Sequence, residues 1–203
     1  MKIIILVFML FIIQSNNAVA SDSFKLKQIN KADFEKLEAV VRKVIKNDNN
    51  NDLTDFFERE QSFDVLLNNA IKFRLIPGSY ASAKSLNGIC ALFVFSKNNH
   101  LLETLPLHCI QGDRDEVVAS CIGVQAVALE QINNTDYLIY LLSEGVGSYY
   151  GDAVFIASIR SDKISKDEAL TACVSNNKDI GSIGKIRKAM KKCLSKSALP
   201  GKI

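Results

Sequence analysis

The stretch SYASAKSLNGICALFVFSK, residues 79–97, decides between an all-helical fold and a mixed one. Residues 89–95 are apolar and aromatic enough for a buried strand, whereas the part before them resembles a helix with a face of small residues. Periodicity alone does not separate a buried strand from a buried helix in a run this short. Because the flanking segments have helical spacing, we expect a helix over residues 79–97.

The segments before this stretch have the spacing of amphipathic helices. Residues 30–46 form the first, and Asn30 is a suitable N-cap for it. Its apolar face consists of Phe34, Leu37, Val41, Val44 and Ile45, with lysines and glutamates opposite. Residues 53–75 continue with a similar spacing, and Pro77-Gly78 then forms the clearest turn in the chain.

The segments after residue 97 favour short helices joined by short loops. We expect helices over residues 101–110, 113–129, 136–143 and 165–174, and from Ser182 onward. The glycine-rich SEGVGSYYGD, residues 143–152, is predicted to be a connection, and residues 153–160 fit either a strand or a helix. The predicted fold is therefore mainly α, a compact single-domain helical array or irregular bundle braced by disulfides. The alternative is α+β, with short strands near residues 89–95 and 153–159.

The first twenty residues, MKIIILVFMLFIIQSNNAVA, have the layout of a secretory signal. Lys2 precedes an apolar run from Ile3 to Ile13, and Ala18-Val19-Ala20 supplies a small-x-small cleavage site. As a helix the run rises only about 16 Å, roughly half the thickness of the bilayer core. We expect residues 1–20 to be cleaved, leaving residues 21–203 as a single exported helical domain in the periplasm or outside the cell.

The charge balance argues against a polyanionic partner. Lys2 is the only charged residue of the predicted signal, so its removal lowers the net charge from +3 to +2. A nearly neutral exported chain has no global electrostatic attraction to nucleic acid, and we expect no nucleic-acid partner.

Five cysteines lie in the predicted mature chain, where export permits disulfides. Cys90 and Cys109 are equidistant from the polar turn at residues 97–100, as two residues that meet in a helical hairpin must be. Cys173 and Cys193 are the second expected pair, although their helices would have to cross steeply. Cys121, in an apolar stripe, is the expected free thiol. Other pairings stay open.

Recognisable catalytic and metal-binding motifs are missing from the sequence. There is no Gly-x-Ser-x-Gly, His-Glu-x-x-His or Cys-x-x-Cys. Residues 48–52 match the first ligand positions of a calcium loop, but Leu53 replaces the required glycine and Arg59 the bidentate glutamate. We therefore expect no catalytic residues, no metal and no cofactor.

The last predicted helix carries the strongest charge asymmetry, because no acid follows Asp179. Its basic residues Lys185, Lys188, Lys191 and Lys192 are the candidate contacts for a partner. Such a helix suits an unidentified acidic protein or an anionic membrane surface. Alternatively, it docks by its apolar face and leaves the lysines in solvent.

The expected function is that of an exported, non-catalytic protein that binds a macromolecular partner. One alternative is a secreted hydrolase with an unrecognised site near residues 144–152, where Glu144 and Asp152 would form a carboxylate pair. A second alternative is a carrier of lipid or another small ligand, lined by the apolar segments 89–95 and 117–129. Asn133 also begins a glycosylation sequon, which matters only in a eukaryote.

Overall fold

Antiparallel strands in two sheets make up most of the protein. The computed structural model describes residues 23–49, 56–82, 85–107, 120–146, 149–177 and 179–197. The first sheet contains β1 (Phe24–Gln28), β2 (Phe56–Phe57), β3 (Phe63–Leu67), β4 (Ala70–Ser82), β5 (Ser85–Ser96) and β6 (Leu101–Pro106). Its strand order is β1-β3-β4-β5-β6, with β2 paired to β4.

The second sheet is a four-stranded meander from the second half of the chain. It contains β7 (Ser120–Ile132), β8 (Thr135–Val146), β9 (Tyr149–Ile159) and β10 (Ile164–Lys166), in the order β10-β9-β8-β7. The helices are α1 (Lys31–Asn49), α2 (Glu168–Ser175) and α3 (Ile183–Ser197), and a 3-10 turn covers Arg59–Gln61.

Paired asparagines form two tight hairpins. Asn68 and Asn69 join β3 to β4 with φ of 54° and 61°, and Asn133 and Asn134 join β7 to β8 with φ of 50° and 61°. A two-residue hairpin with both φ positive is the type I′ turn, whose twist matches that of the flanking strands. Asparagine tolerates this left-handed conformation better than other non-glycine residues. The predicted sequon at Asn133 thus lies at a hairpin tip.

The two sheets pack face to face around the main core. Tyr140 and Phe155 lie in it with their rings edge to face and their centroids 6.3 Å apart. The buried side chains from the first sheet are Val65, Phe73, Leu75, Cys90, Leu92, Val94 and Leu105. Those from the second are Leu138, Tyr140, Leu142, Phe155, Ala157, Ile159 and Ile164.

Helices cover the outer face of each sheet. On the first sheet, α1 packs Phe34, Leu37, Val41 and Ile45 against Ile76, Ala91, Phe93 and Phe95. On the second, α2 and α3 pack Leu170, Val174, Ile186 and Met190 against Tyr137, Ile139, Leu141, Val154 and Ile156. The protein therefore has four layers, helix–sheet–sheet–helix.

A buried arginine adds polar contacts under α1. Arg74 of β4 reaches Asp33 of α1 (Nη1 to Oδ2, 3.3 Å) and Asp64 of β3 (Nε to Oδ1, 3.5 Å). The Asn30 side chain, and to a lesser degree Arg74, lower the pKa of Asp33, whereas burial raises the pKa of Asp64 against the opposing charge of Arg74. These contacts tie the helix to two strands.

The layered arrangement corrects the predicted fold class, which was wrong: the protein is mostly β. Residues 79–97 belong chiefly to β4 and β5, and residues 90–95 of β5 are buried on both faces. Leu92 and Val94 face the other sheet, while Ala91, Phe93 and Phe95 face α1. A strand covered on both sides loses the alternation of apolar and polar residues that marks a half-exposed strand.

Several other predicted helices are strands as well. The segments 53–75, 101–110 and 136–143 contribute to β2–β4, β6 and β8, and the described part of 113–129 belongs to β7. The predicted connection at 143–152 is mostly strand from β8 and β9, and 153–160 falls in β9. The helices at 30–46, 165–174 and from Ser182 are confirmed as α1, α2 and α3, although α2 begins only at Glu168. Its N-cap is Asp167, whose side chain accepts from Leu170 N at 2.9 Å.

Candidate functional site

A disulfide fastens α3 to α2 on the outer face of the second sheet. Cys173 and Cys193 are bonded, with 6.1 Å between their Cα atoms, which is the pair expected from the sequence. Cys193 is buried beside Met190 and Ile186. The covalent link and the apolar contacts together attach α3 to α2 and to the outer face of the second sheet.

The other cysteines are described in part. Cys90 is buried and disulfide-bonded. Cys109, as well as the side chain of Cys121, lies outside the described residues. The Cys90–Cys109 pair and the free thiol at Cys121 therefore stay predictions.

Charged contacts attach one flank of α3 to the edge strand β7. The Arg187 Nε lies 2.8 Å from Glu130 Oε2, and its Nη2 donates to the Leu129 carbonyl at 3.1 Å. Lys191 joins the same carboxylate, with 3.4 Å between its Nζ and Glu130 Oε1. Glu130 thus receives two cations from successive turns of the helix.

The four lysines that the sequence predicts as contacts for a partner fall into two groups. Lys191 pairs with Glu130, and Lys185 pairs with Asp179. Lys188 and Lys192 are exposed and make no ion pair with any residue in the described ranges. As expected for the docked alternative, the apolar face of α3 is buried, so these two lysines project from a fixed helix.

Glu58 connects the two sheets at the start of β7. Its Oε1 accepts a hydrogen bond from Val124 N at 2.8 Å. Gly123 permits this approach, because a Cβ there would lie 2.5 Å from the same oxygen. Burial raises the pKa of Glu58, and the Val124 hydrogen bond partly opposes the rise.

Both side-chain contacts to β7 occupy backbone groups of an edge strand. Glu58 accepts a hydrogen bond from a backbone N–H near the beginning of β7, and Arg187 donates one to a backbone carbonyl near the end of β7. Unpaired groups on an edge strand invite pairing with another chain, and charged side chains block it. Sequence analysis missed Glu58, because a contact across 66 residues leaves no local signal.

Glu144 and Asp152 lie on opposite faces of the second sheet. Glu144 continues the inner-facing row of Tyr140 and Leu142 on β8. Asp152 faces the helices, where it accepts from Gln125 Nε2 at 2.7 Å. They therefore do not form the carboxylate pair that the hydrolase alternative requires.

Glu144 has a half-buried carboxylate, and no hydrogen bond from the described residues to its buried oxygen offsets the loss of solvation. Its Oε1 is buried and has no hydrogen-bond partner within the described ranges. Burial raises the pKa of the Glu144 carboxyl above its ordinary value. The folded protein therefore keeps this proton to a higher pH than the unfolded chain does.

Glu144→Gln is expected to raise the free energy of unfolding at about pH 7 by on the order of 1 kcal/mol. The contribution of Glu144 to stability falls as the pH rises from the ordinary glutamate pKa through the raised one, because the folded state binds the extra proton in that window. The gain should therefore vanish near pH 4. Urea denaturation between about pH 4 and pH 7.5 measures it.

The matched control is Glu103→Gln on β6, where the side chain is exposed. It should change the stability by less than about 0.5 kcal/mol at any pH in this range. A Glu144→Gln protein that is less stable than wild type at pH 7 would show that the carboxylate makes a favourable contact.

The described residues contain no cluster of three or more side chains suited to a metal ion. None of the helices among them is long and apolar enough to span a membrane. A scan against protein-family models and searches of curated proteins and solved structures give no match. The site must therefore be interpreted from its own geometry.

Proposed function

We propose that this is an exported, non-catalytic protein that binds a macromolecular partner through the solvent-facing side of α3. The secretory layout of residues 1–20 supports export. The observation that carries the binding proposal is the pair Lys188 and Lys192, exposed and without ion pairs in the described structure. Their charges are available to a partner without breaking an internal contact.

The attachment of α3 to α2 and to β7 strengthens this proposal. A helix held by the Cys173–Cys193 disulfide and by the Arg187–Glu130 ion pair needs little ordering when a partner arrives. Binding costs less entropy when the contacting groups are already in place. Fixed positive charges also steer an acidic partner before contact.

The two alternative functions have less support. The hydrolase site near residues 144–152 lacks its carboxylate pair, since Glu144 and Asp152 face opposite ways. A carrier of lipid or another small ligand needs an apolar surface that the protein's own side chains do not already cover. The apolar side chains of 90–95 are already packed, half against the second sheet and half against α1.

The combined variant Lys188→Glu/Lys192→Glu is expected to weaken partner binding at least tenfold and to reduce its dependence on salt. The measurement is quantitative recovery of a protein partner from the exported fraction of the source cells, at about 50 and 300 mM salt. Wild-type recovery should fall at the higher salt concentration.

The matched control is Lys43→Glu/Lys46→Glu, which makes the same charge change on α1, where both lysines are exposed. Its partner recovery should equal that of the wild type. Equal recovery with the α3 variant would refute the assignment of α3. A precursor lacking residues 1–20 that still reaches the exported fraction would refute the signal.

A further inference from the structure

Two exposed apolar side chains meet at one end of the second sheet. Tyr150 of β9 is 75% exposed and Ile122 of β7 is 46% exposed. The described residues have only one other large apolar side chain this exposed, Leu102 on β6. Tyr150 and Ile122 converge on Gly145 of β8: a Cβ there would lie 3.1 Å from Tyr150 Cδ1 and 2.9 Å from Ile122 Cδ1.

This apolar pair lies on the same face of the sheet as α3. Gly145 pairs with Tyr150, and Leu141 pairs with Val154. Both Leu141 and Val154 pack with the helices. Because side chains along a strand alternate between faces, Tyr150 points to the helix side. The patch therefore occupies the part of this face that α2 and α3 leave uncovered.

The start of α3 borders the patch. Asp152 pairs with Ser143, two residues along the strands from the Tyr150–Gly145 pair. A Cβ on Gly181, just before α3, would lie 2.9 Å from Asp152 Oδ2. A helix is about 10–12 Å across with its side chains, so α3 rises above the surface of the sheet beside the patch. We call the lower surface formed by Ile122, Gly145 and Tyr150 the shelf.

We propose that the shelf binds an extended, acidic segment of a protein partner, which rests one apolar side chain on Ile122 and Tyr150. This inference builds on the proposed function and specifies its partner. Carboxylates on one side of the apolar residue then reach Lys188 and Lys192. Asp152, at the shelf itself, disfavours an acid directly beside the apolar residue.

The spacing of the partner segment follows from helix and strand geometry. From Gly181 to Lys188 the helix rises about 10 Å, and to Lys192 about 16 Å. An extended chain covers about 3.3 Å per residue. Asp152, which lies beside Gly181, is two residues or about 7 Å beyond Tyr150 on β9. The carboxylates are therefore expected about five to seven residues from the apolar residue.

A protein segment fits this surface better than a membrane does. The apolar face of α3, with Ile186 and Met190, is buried in the core and is not available for insertion into lipid. A flat bilayer that touches Lys188 and Lys192 on the solvent side of α3 does not reach Tyr150, which lies lower, on the surface of the sheet. A narrow chain contacts both, and a single aromatic anchor with a charged rim is the usual composition of a binding hot spot.

The test uses a phage library of random twelve-residue peptides, selected on the full mature protein with its disulfides intact. Enriched peptides are expected to carry an aromatic or branched apolar residue with acids about five to seven positions away. The best peptide is then synthesised and titrated by fluorescence anisotropy. Ile122→Ser/Tyr150→Ser should weaken its binding at least tenfold, and Lys188→Glu/Lys192→Glu at least threefold.

The matched control is Leu102→Ser, which removes an exposed apolar side chain from the other sheet and should leave the affinity unchanged. Absence of enrichment, or a peptide insensitive to the Ile122/Tyr150 variant, overturns the shelf proposal. If the lysine variant still loses the partner in that case, the proposed function stands alone. If neither variant changes binding, both fail.

A second probe tests the membrane alternative. Vesicles of phosphatidylglycerol and phosphatidylcholine at a 1:1 ratio are sedimented with wild-type protein and with the two double variants. We expect no cosedimentation. Binding that depends on Lys188 and Lys192 but not on Tyr150 would overturn the protein segment in favour of a lipid surface.

Discussion

Phe93→Ala is expected to lower the free energy of unfolding by about 3–5 kcal/mol, and Leu92→Ala by about 2–5 kcal/mol. The two residues are adjacent on β5 and both are almost fully buried. Phe93 packs under α1, and Leu92 packs between the sheets. Each replacement therefore leaves a cavity in a different core. Urea denaturation followed by circular dichroism measures both losses.

The control for this pair is Leu102→Ala on the neighbouring strand β6, where the side chain is 55% exposed. It should cost less than about 0.5 kcal/mol. In a strand with one face in solvent, only one of two adjacent positions would be sensitive. A loss below about 1 kcal/mol at either Leu92 or Phe93 would therefore contradict the four-layer arrangement.

Cys173→Ala/Cys193→Ala is expected to cost about 3 kcal/mol, because the disulfide closes a loop with a sequence separation of 20. The loss should be concentrated at α3, which is then held to α2 by apolar contacts alone. Denaturation without reductant measures the stability, and limited proteolysis reports opening of α3. Reduction of the wild type is not equivalent, since it also breaks the disulfide of Cys90.

The control on the same helix is Ser195→Ala, at an exposed position that should change stability by less than about 0.5 kcal/mol. If the double cysteine variant cleaves in α3 no faster than this control, the disulfide is not what immobilises the helix. The position of Lys188 and Lys192 would then depend on the Arg187–Glu130 contact and on the buried apolar face of α3.

The disulfide variant Cys173→Ala/Cys193→Ala and the lysine variant Lys188→Glu/Lys192→Glu test the same surface in different ways. Removing the Cys173–Cys193 bond leaves the charges in place but frees the helix. Reversing Lys188 and Lys192 leaves the helix in place but changes its charge. Partner binding weakened by both would indicate that the position and the charge of α3 are each required.

The helices were predictable because each has one buried face. In α1, the apolar residues Phe34, Leu37 and Val41 recur at helical spacing and contact only one sheet. Local caps reinforce this pattern, as with Asn30 Oδ1, which accepts from Asp33 N at 3.0 Å. Nothing outside the segment is needed to recognise such a helix.

The strands were not predictable in the same way. In β5 and β8, apolar side chains occupy both faces, so the period of two is absent and a buried helix fits equally well. The usable signal lay in the turns. Asn68-Asn69 and Asn133-Asn134 each stand between apolar runs, the arrangement typical of a two-residue hairpin.

The sequence by itself determined the layout of a secretory signal, the three amphipathic helices and the basic character of α3, since each depends on residues close together in the chain. Only the tertiary structure decided which lysines are paired, where Glu58 acts and that Ile122 meets Tyr150. It also placed Glu144 and Asp152 on opposite faces. These outcomes depend on strand register and on the packing of separate layers against each other, and such long-range contacts leave no periodic signal in the local sequence.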